Sequence, residues 1–129
     1  MNIRRIMPVV RAADPSAARG FYVDLLGLRP AMEEDGMMML ASRSTPTTQI
    51  IVAWDSPTAV DPELRGVDVS IEVDDADAAF RAATAAGLRI VRPPRDEPWG
   101  IRRFFVADGT GRVVNVASHI AEHPTASPD

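Results

Sequence analysis

Two related stretches of the sequence decide the fold. Residues 14–29 read DPSAARGFYVDLLGLR, and residues 75–89 read DADAAFRAATAAGLR. Each stretch begins with aspartate, which is a favourable helix N-cap, and each ends in Gly-Leu-Arg, in which the glycine is a typical helix stop. A helix is therefore predicted in both stretches. The same pattern, an aspartate followed by a helix and Gly-Leu-Arg, thus occurs twice, with Gly27 and Gly87 sixty residues apart. This recurrence indicates an internal repeat.

The apolar spacing within each helix predicts which side chains are buried. Positions that are three, four, seven and eight residues apart lie on one face of an α-helix. The predicted buried stripe of the first helix consists of Ala18, Phe21, Tyr22, Leu25 and Leu26, and that of the second consists of Ala76, Ala79, Phe80, Ala83 and Ala86.

Strands are predicted around both helices. Residues 67–73 alternate apolar and polar side chains, a pattern typical of a strand with one buried face. The predicted strands are residues 2–10, 28–33, 37–41 and 47–54 in the first copy and residues 67–73, 88–91, 101–106 and 112–117 in the second. Residues 92–100, which hold three prolines, are predicted to form a loop.

These elements predict an α+β fold within one domain, residues 1–129. Repeat one covers about residues 2–54, a connection covers 55–66, repeat two covers about 67–119, and residues 120–129 form a loose tail. The two βαβββ repeats are expected to form a curved eight-stranded mixed sheet with its helices on the convex side. The concave side is then available to a ligand.

The composition excludes several classes of function. The net charge of −4 does not favour nucleic acid as a partner, and no apolar run approaches the roughly 20 residues of a membrane helix. The absence of cysteine excludes disulfides and thiolate chemistry, and the absence of lysine excludes Schiff-base chemistry. We expect a cytoplasmic protein with no signal peptide that binds neither nucleic acid nor membrane.

The chain resembles the vicinal oxygen chelate superfamily, which includes glyoxalases, bleomycin-resistance proteins and extradiol dioxygenases. Residues 14–27, with Phe21-Tyr22 and Leu25-Leu26-Gly27, are similar to the helix signature of that superfamily. Residues 104–116 resemble its final hairpin, and the resemblance covers about residues 3–119. It implies the sheet described above and, for binding proteins, a homodimer.

The resemblance also implies where a metal would bind in the metal-dependent members. Those positions fall at Met7 on the first strand, Val52 on the fourth, Asp68 on the fifth and Asn115 on the last. Only Asp68 offers a carboxylate, whereas divalent metals need imidazole and carboxylate ligands. Both histidines, His119 and His123, follow the last predicted strand and are interpreted as solvated, although His119 could reach the rim. We therefore expect no metal, no cofactor and no catalytic residue.

The alternation of the strands predicts the ligand-binding residues. Side chains that point away from the helices line the concave side, and two tryptophans frame it. The predicted ligand-binding residues are Met7, Val9, Trp54, Asp68, Ser70, Glu72, Trp99, Arg103, Phe105 and Asn115. Three alternatives stay open: Asp68 and Glu72 pair with Arg102 or Arg103, Trp54 packs in a dimer interface, and Phe104 replaces Phe105 in the cavity.

The favoured function is metal-free binding of a small molecule, of the bleomycin-resistance type. An aromatic lid over a partly acidic floor favours a planar, cationic or donor-rich ligand. The absence of a His–carboxylate pair in the predicted sheet favours binding over catalysis. The alternatives are a metal-dependent glyoxalase-like lyase, isomerase or dioxygenase and, without metal, acid/base catalysis by Asp68 or Glu72.

Overall fold

The chain follows the predicted order of strands and helices twice. A computed structural model describes residues 1–120, so the predicted tail beyond Ile120 lies outside the described residues. Eight strands form a mixed sheet, which confirms the α+β class with two βαβββ copies. The chain divides into two units, residues 5–70 (the first unit) and residues 1–4 with the chain from Ile71 onward (the second unit).

The first unit holds most of the first βαβββ copy. Its strands occur in the order β2-β3-β4-β1, and β1 runs parallel to β4. The elements are β1 (Ile3–Arg11), α1 (Pro15–Arg19), a π-helical segment (Gly20–Leu25), β2 (Arg29–Glu34), β3 (Met37–Ala41), β4 (Gln49–Ala53) and a 3₁₀ helix (Pro62–Gly66).

The second unit holds most of the second copy, with its strands in the order β5-β8-β7-β6. Its elements are β5 (Val69–Val73), α2 (Ala76–Ala85), β6 (Ile90–Asp96), β7 (Ile101–Ala107) and β8 (Val113–His119). Among residues 1–120, no helix is both long enough and apolar enough to cross a membrane.

The first helix differs from its prediction because its second half is wound as a π-helix. The N–H of Leu26 donates to the carbonyl of Phe21, five residues earlier. This winding aligns side chains four and five apart instead of three and four. Ala18, Tyr22 and Val23 therefore pack against β3 and β4, whereas the expected core residues Phe21, Leu25 and Leu26 are 49%, 70% and 58% exposed.

The second helix matches its prediction more closely. Asp75 caps it by accepting a hydrogen bond from the N–H of Ala78. Ala79 and Ala83 are buried against β5, β7 and β8, and Phe80 packs edge-on against Phe104 with ring centroids 5.3 Å apart. Ala86 is the one exception to the predicted stripe, because it lies beyond the last helical residue and is exposed.

Strand β6 corrects the predicted loop at residues 92–100. The strand continues to Asp96 through Pro93 and Pro94, and its pairing with β7 shifts register twice. Prolines are tolerated at this position because β6 is the edge strand of its unit and because bulges release backbone donors from the ladder. The turn before β7 is therefore shorter than predicted.

Candidate functional site

The two faces of the second unit differ in chemistry. Phe104, Val106 and Val116 pack against α2, so their sequence neighbours point to the other side. Cross-strand pairs there are Arg103 with Ala117 and Phe105 with Asn115. The face opposite α2 thus carries Glu72, Arg103, Phe105 and Asn115, four of the predicted ligand-binding residues. Of the two adjacent phenylalanines, Phe105 therefore lies on the face opposite α2, whereas Phe104 belongs to the core on the helix side.

Glu97, just after strand β6, is the centre of a cluster of charged side chains in the second unit. Its Oε2 accepts hydrogen bonds from Arg92 Nη2 and, at 2.7 Å, from Arg103 Nε, and Arg95 Nη2 lies 3.7 Å away. The side chains of Glu97 and Arg103 are only 5% and 2% exposed. Burial alone would raise the pKa of Glu97, but the two arginine hydrogen bonds outweigh it and hold that pKa below its ordinary value.

Two aromatic rings lie close to the buried guanidinium of Arg103. Its Cζ lies 5.2 Å from the ring centroid of Trp99 and 5.1 Å from that of Phe105. Arg92 also lies over Phe105, with its Cζ 4.5 Å from the centroid. These distances are typical of cation–π contacts. Trp99 itself is 44% exposed, so part of the indole is accessible from solvent.

A histidine–carboxylate pair occurs on the same unit. His119 Nε2 lies 3.2 Å from Glu72 Oε2, with the carboxylate side chain 12% exposed and the imidazole 69% exposed. The interpretation of His119 as a solvated residue without a role in the sheet is therefore incomplete, and the expectation that the sheet lacks such a pair is wrong. The reason is geometric: His119 is the last residue of β8, two steps beyond Asn115 on the same face.

The first unit places Met7 and Val9 on the face opposite its helix. Both are buried, and Val9 pairs with Ile51 of β4. Val52, the next residue of β4, points to the helix side, so the predicted metal position at Val52 is wrong in register. Trp54 also packs against the helix-side cluster rather than beside Val9.

Asp68, which was predicted to lie on the floor of the cavity, does not pair with Arg102 as one alternative had it. Asp68 Oδ1 accepts a hydrogen bond from Arg11 Nη2 at 3.1 Å. Arg102, one of the two partners expected for the acidic residues, binds Asp77 and Asp96 on the helix side at 2.9 Å and 3.0 Å. Ser70 is buried at 5% exposure.

The residues at the implied metal positions do not fit a divalent transition metal. Met7 supplies a soft thioether, Asn115 supplies a neutral amide, and Asp68 is already bonded to Arg11. Such metals bind through imidazole and carboxylate groups. Within residues 1–120, no three His, Asp or Glu side chains are grouped so that they could hold a metal ion.

Sequence reasoning missed Glu97 and Arg92 as members of this face, and it placed His119 at the rim without a role. Glu97 lies between prolines in a stretch predicted as a loop, and its arginine partners come from β6 and β7. A signal did exist, because residues 92–103 hold four arginines, and an arginine that is buried needs a carboxylate partner.

Comparison with known protein families identifies the class. Residues 3–116 match the Glyoxalase/Bleomycin resistance protein/Dioxygenase superfamily, and the chain belongs to that superfamily. The fold resemblance noted from the sequence is thereby confirmed, whereas the match does not distinguish the bleomycin-resistance type from the others. A comparison with curated protein sequences gave no match.

Solved structures show the same fold in proteins of different activity. Methylmalonyl-CoA epimerase from Mycobacterium tuberculosis is 23% identical, with a TM-score of 0.67 over 92% of this chain and 87% of that one. An extradiol ring-cleaving dioxygenase from B. fuscum is 21% identical, with a TM-score of 0.67 over 92% and 33%. The Mn(II)-bound glyoxalase from Novosphingobium aromaticivorans is 21% identical, with a TM-score of 0.63 over 92% and 39%.

Proposed function

We propose that the chain is a small-molecule-binding protein that works without a metal, of the bleomycin-resistance type. The observation that carries this proposal is the donor set at the implied metal positions, where a thioether, an amide and an arginine-bonded carboxylate stand. Binding requires no bond to be made or broken, so it makes no demand for a Lewis acid. Sequestration of a toxic or signalling compound is the role that follows.

The proposed ligand is planar and binds on the face opposite α2. Trp99 is a partly exposed indole beside that face, and Phe105 and Asn115 lie on it. Glu72 adds a carboxylate, which supports a preference for cationic or hydrogen-bond-donating groups. Met7, Val9, Asp68 and Ser70 belong to the first unit, and their contact with a ligand stays a prediction.

We further propose a homodimer. The π-helical winding leaves Phe21, Leu25 and Leu26 exposed within six residues of chain. A contiguous group of exposed apolar side chains is typical of an interaction surface. Two-fold pairing is the commonest arrangement of soluble oligomers.

A second candidate function is acid/base catalysis, and the Glu72–His119 contact favours it. A buried carboxylate that holds an exposed imidazole at 3.2 Å is an arrangement suited to proton transfer. The other alternative is a metal-dependent enzyme. Its activity would be of the kind named for the structural neighbours, which include an epimerase, a glyoxalase and a dioxygenase.

A ligand screen with a metal assay tests these functions together. Protein purified without chelator is screened by thermal shift against antibiotics and planar metabolites, and its metal content is measured. A saturable hit with no turnover, at well under one equivalent of metal, supports the binding protein. Turnover of a hit that His119→Gln abolishes while ligand affinity is kept identifies the acid/base enzyme. Stoichiometric metal whose removal abolishes binding contradicts both.

A further inference from the structure

The turn that carries Trp99 is fixed by its backbone. The N–H of Glu97 donates to the carbonyl of Ile101 at 2.7 Å, and the N–H of Gly100 donates to the carbonyl of Glu97 at 3.1 Å. Gly100 adopts a φ of 89°, a left-handed conformation that glycine accepts without steric cost. These bonds set the path of the chain, but the direction of the exposed indole depends on what its ring contacts.

The ring of Trp99 contacts the most deeply buried arginine described above. Arg103 is 2% exposed, its Cζ lies 5.2 Å from the indole centroid, and Phe105 lies against the same guanidinium. The guanidinium is held in turn by Glu97, through the 2.7 Å bond from Arg103 Nε. One side of the Trp99 indole therefore lies on the Arg103 guanidinium. The position of that guanidinium depends in turn on the carboxylate of Glu97, two residues before Trp99 in the sequence.

We propose that Glu97 is a positioning residue, which acts through Arg103 to hold Trp99 as a stacking platform for a planar ligand. The proposal rests on the proposed binding function, and it assigns the ligand class as one with an aromatic plane that stacks on the indole. A platform that is already ordered costs less conformational entropy when the ligand binds than a mobile side chain would. Glu97 raises affinity in this way without touching the ligand.

The test uses the full-length chain with Trp54 replaced by phenylalanine, which leaves Trp99 as its single tryptophan. Acrylamide quenching of the fluorescence reports how exposed the Trp99 indole is. Calorimetric titration with naphthalene-2-carboxamide, an uncharged planar probe, reports stacking. The variants in this background are Glu97→Gln, which removes the charge that holds Arg103, and Arg103→Lys, which keeps the charge but loses the planar guanidinium.

Arg95→Gln is the matched control. Arg95 Nη2 also lies within 3.7 Å of Glu97, but its side chain is 55% exposed and Arg103 is the cation over Trp99. We expect this variant to keep both the quenching and the probe affinity of the parent. Glu97→Gln and Arg103→Lys should both raise quenching and weaken the probe by about two- to tenfold, the range that an aromatic stacking contact provides.

The outcomes separate the two proposals. If the parent itself does not bind the probe at millimolar concentration, the proposed function at this face is wrong and the positioning role falls with it. If the parent binds and quenching rises in the variants while affinity is unchanged, Glu97 orders Trp99 but does not serve the ligand, and the inference is overturned. Unchanged quenching in both variants overturns it as well. Arg103→Lys gives the answer if Glu97→Gln fails to fold.

Discussion

Two adjacent carboxylates allow the contribution of the buried ion cluster to be measured against an internal standard. Asp96 and Glu97 each bind an arginine of β7, at 3.0 Å and 2.7 Å respectively. Their side chains differ in exposure, which is 63% for Asp96 and 5% for Glu97. The variants Asp96→Asn and Glu97→Gln therefore remove the same charge from adjacent residues that differ in burial.

The expected losses of stability differ several-fold. Removing one partner of a buried ion pair leaves an uncompensated charge and costs about 3–5 kcal/mol. Glutamine still accepts a hydrogen bond, so Glu97→Gln should lie near the lower end, about 3 kcal/mol. An exposed pair contributes about 0.2–1 kcal/mol, which is the expected loss for Asp96→Asn. For a chain of this size, Glu97→Gln should lower the Tm by roughly 10 °C.

Acid should remove the difference between wild type and Glu97→Gln. The pKa of Glu97 is depressed in the folded protein, so its stabilisation is complete above the unfolded pKa of about 4.3 and disappears as the pH falls through the folded value. Urea denaturation, followed by circular dichroism between pH 7 and pH 3, measures the gap. The reasoning is refuted if Glu97→Gln costs no more than Asp96→Asn, or if the gap stays constant on acidification.

Three further predictions concern metal, assembly and ligand charge. Chelator treatment should leave the Tm unchanged, because the implied metal positions lack a suitable donor set; a drop of several degrees that added metal reverses would contradict this. Sedimentation should give about twice the 14.0 kDa chain mass, and Leu25→Asp should shift it towards the monomer; a wild-type monomer at micromolar concentration would count against the dimer. Glu72→Gln should weaken naphthalene-2-carboxamidine, a cation, by about tenfold or more and spare naphthalene-2-carboxamide, because a charge-assisted hydrogen bond is lost; equal losses for both probes would exclude Glu72 as the cation partner.

The elements that local chemistry specifies could be predicted from the sequence. The N-cap role of Asp75 depends on residues three positions away, and the alternation of residues 69–73 reflects strand geometry, which places successive side chains on opposite faces. Both signals are contained in a short stretch of chain. Helix α2, strand β5 and the strand face that carries Glu72 can therefore be predicted from the local sequence. The repeat then supplies the order of the elements.

The parts that escaped prediction depend on distant partners or on winding. Glu97 reads as a loop residue until β6 and β7 bring Arg92 and Arg103 beside it. The π-helical winding keeps Tyr22 of the predicted stripe against the core but rotates Phe21 and Leu25 away from it. Apolar spacing cannot distinguish the two windings, because both pack Ala18 and Tyr22 against the core.

The prolines of the edge strands have a consequence for aggregation. β2 and β6 end the strand order, and they carry Pro30 in one case and Pro93 and Pro94 in the other. A proline has no N–H to offer to an incoming strand, and neighbouring charges such as Arg95 would be placed beside the new chain. Growth of the sheet by strand addition is thereby obstructed at both ends. The two outer strands are therefore protected against the edge-to-edge pairing that leads to fibrils.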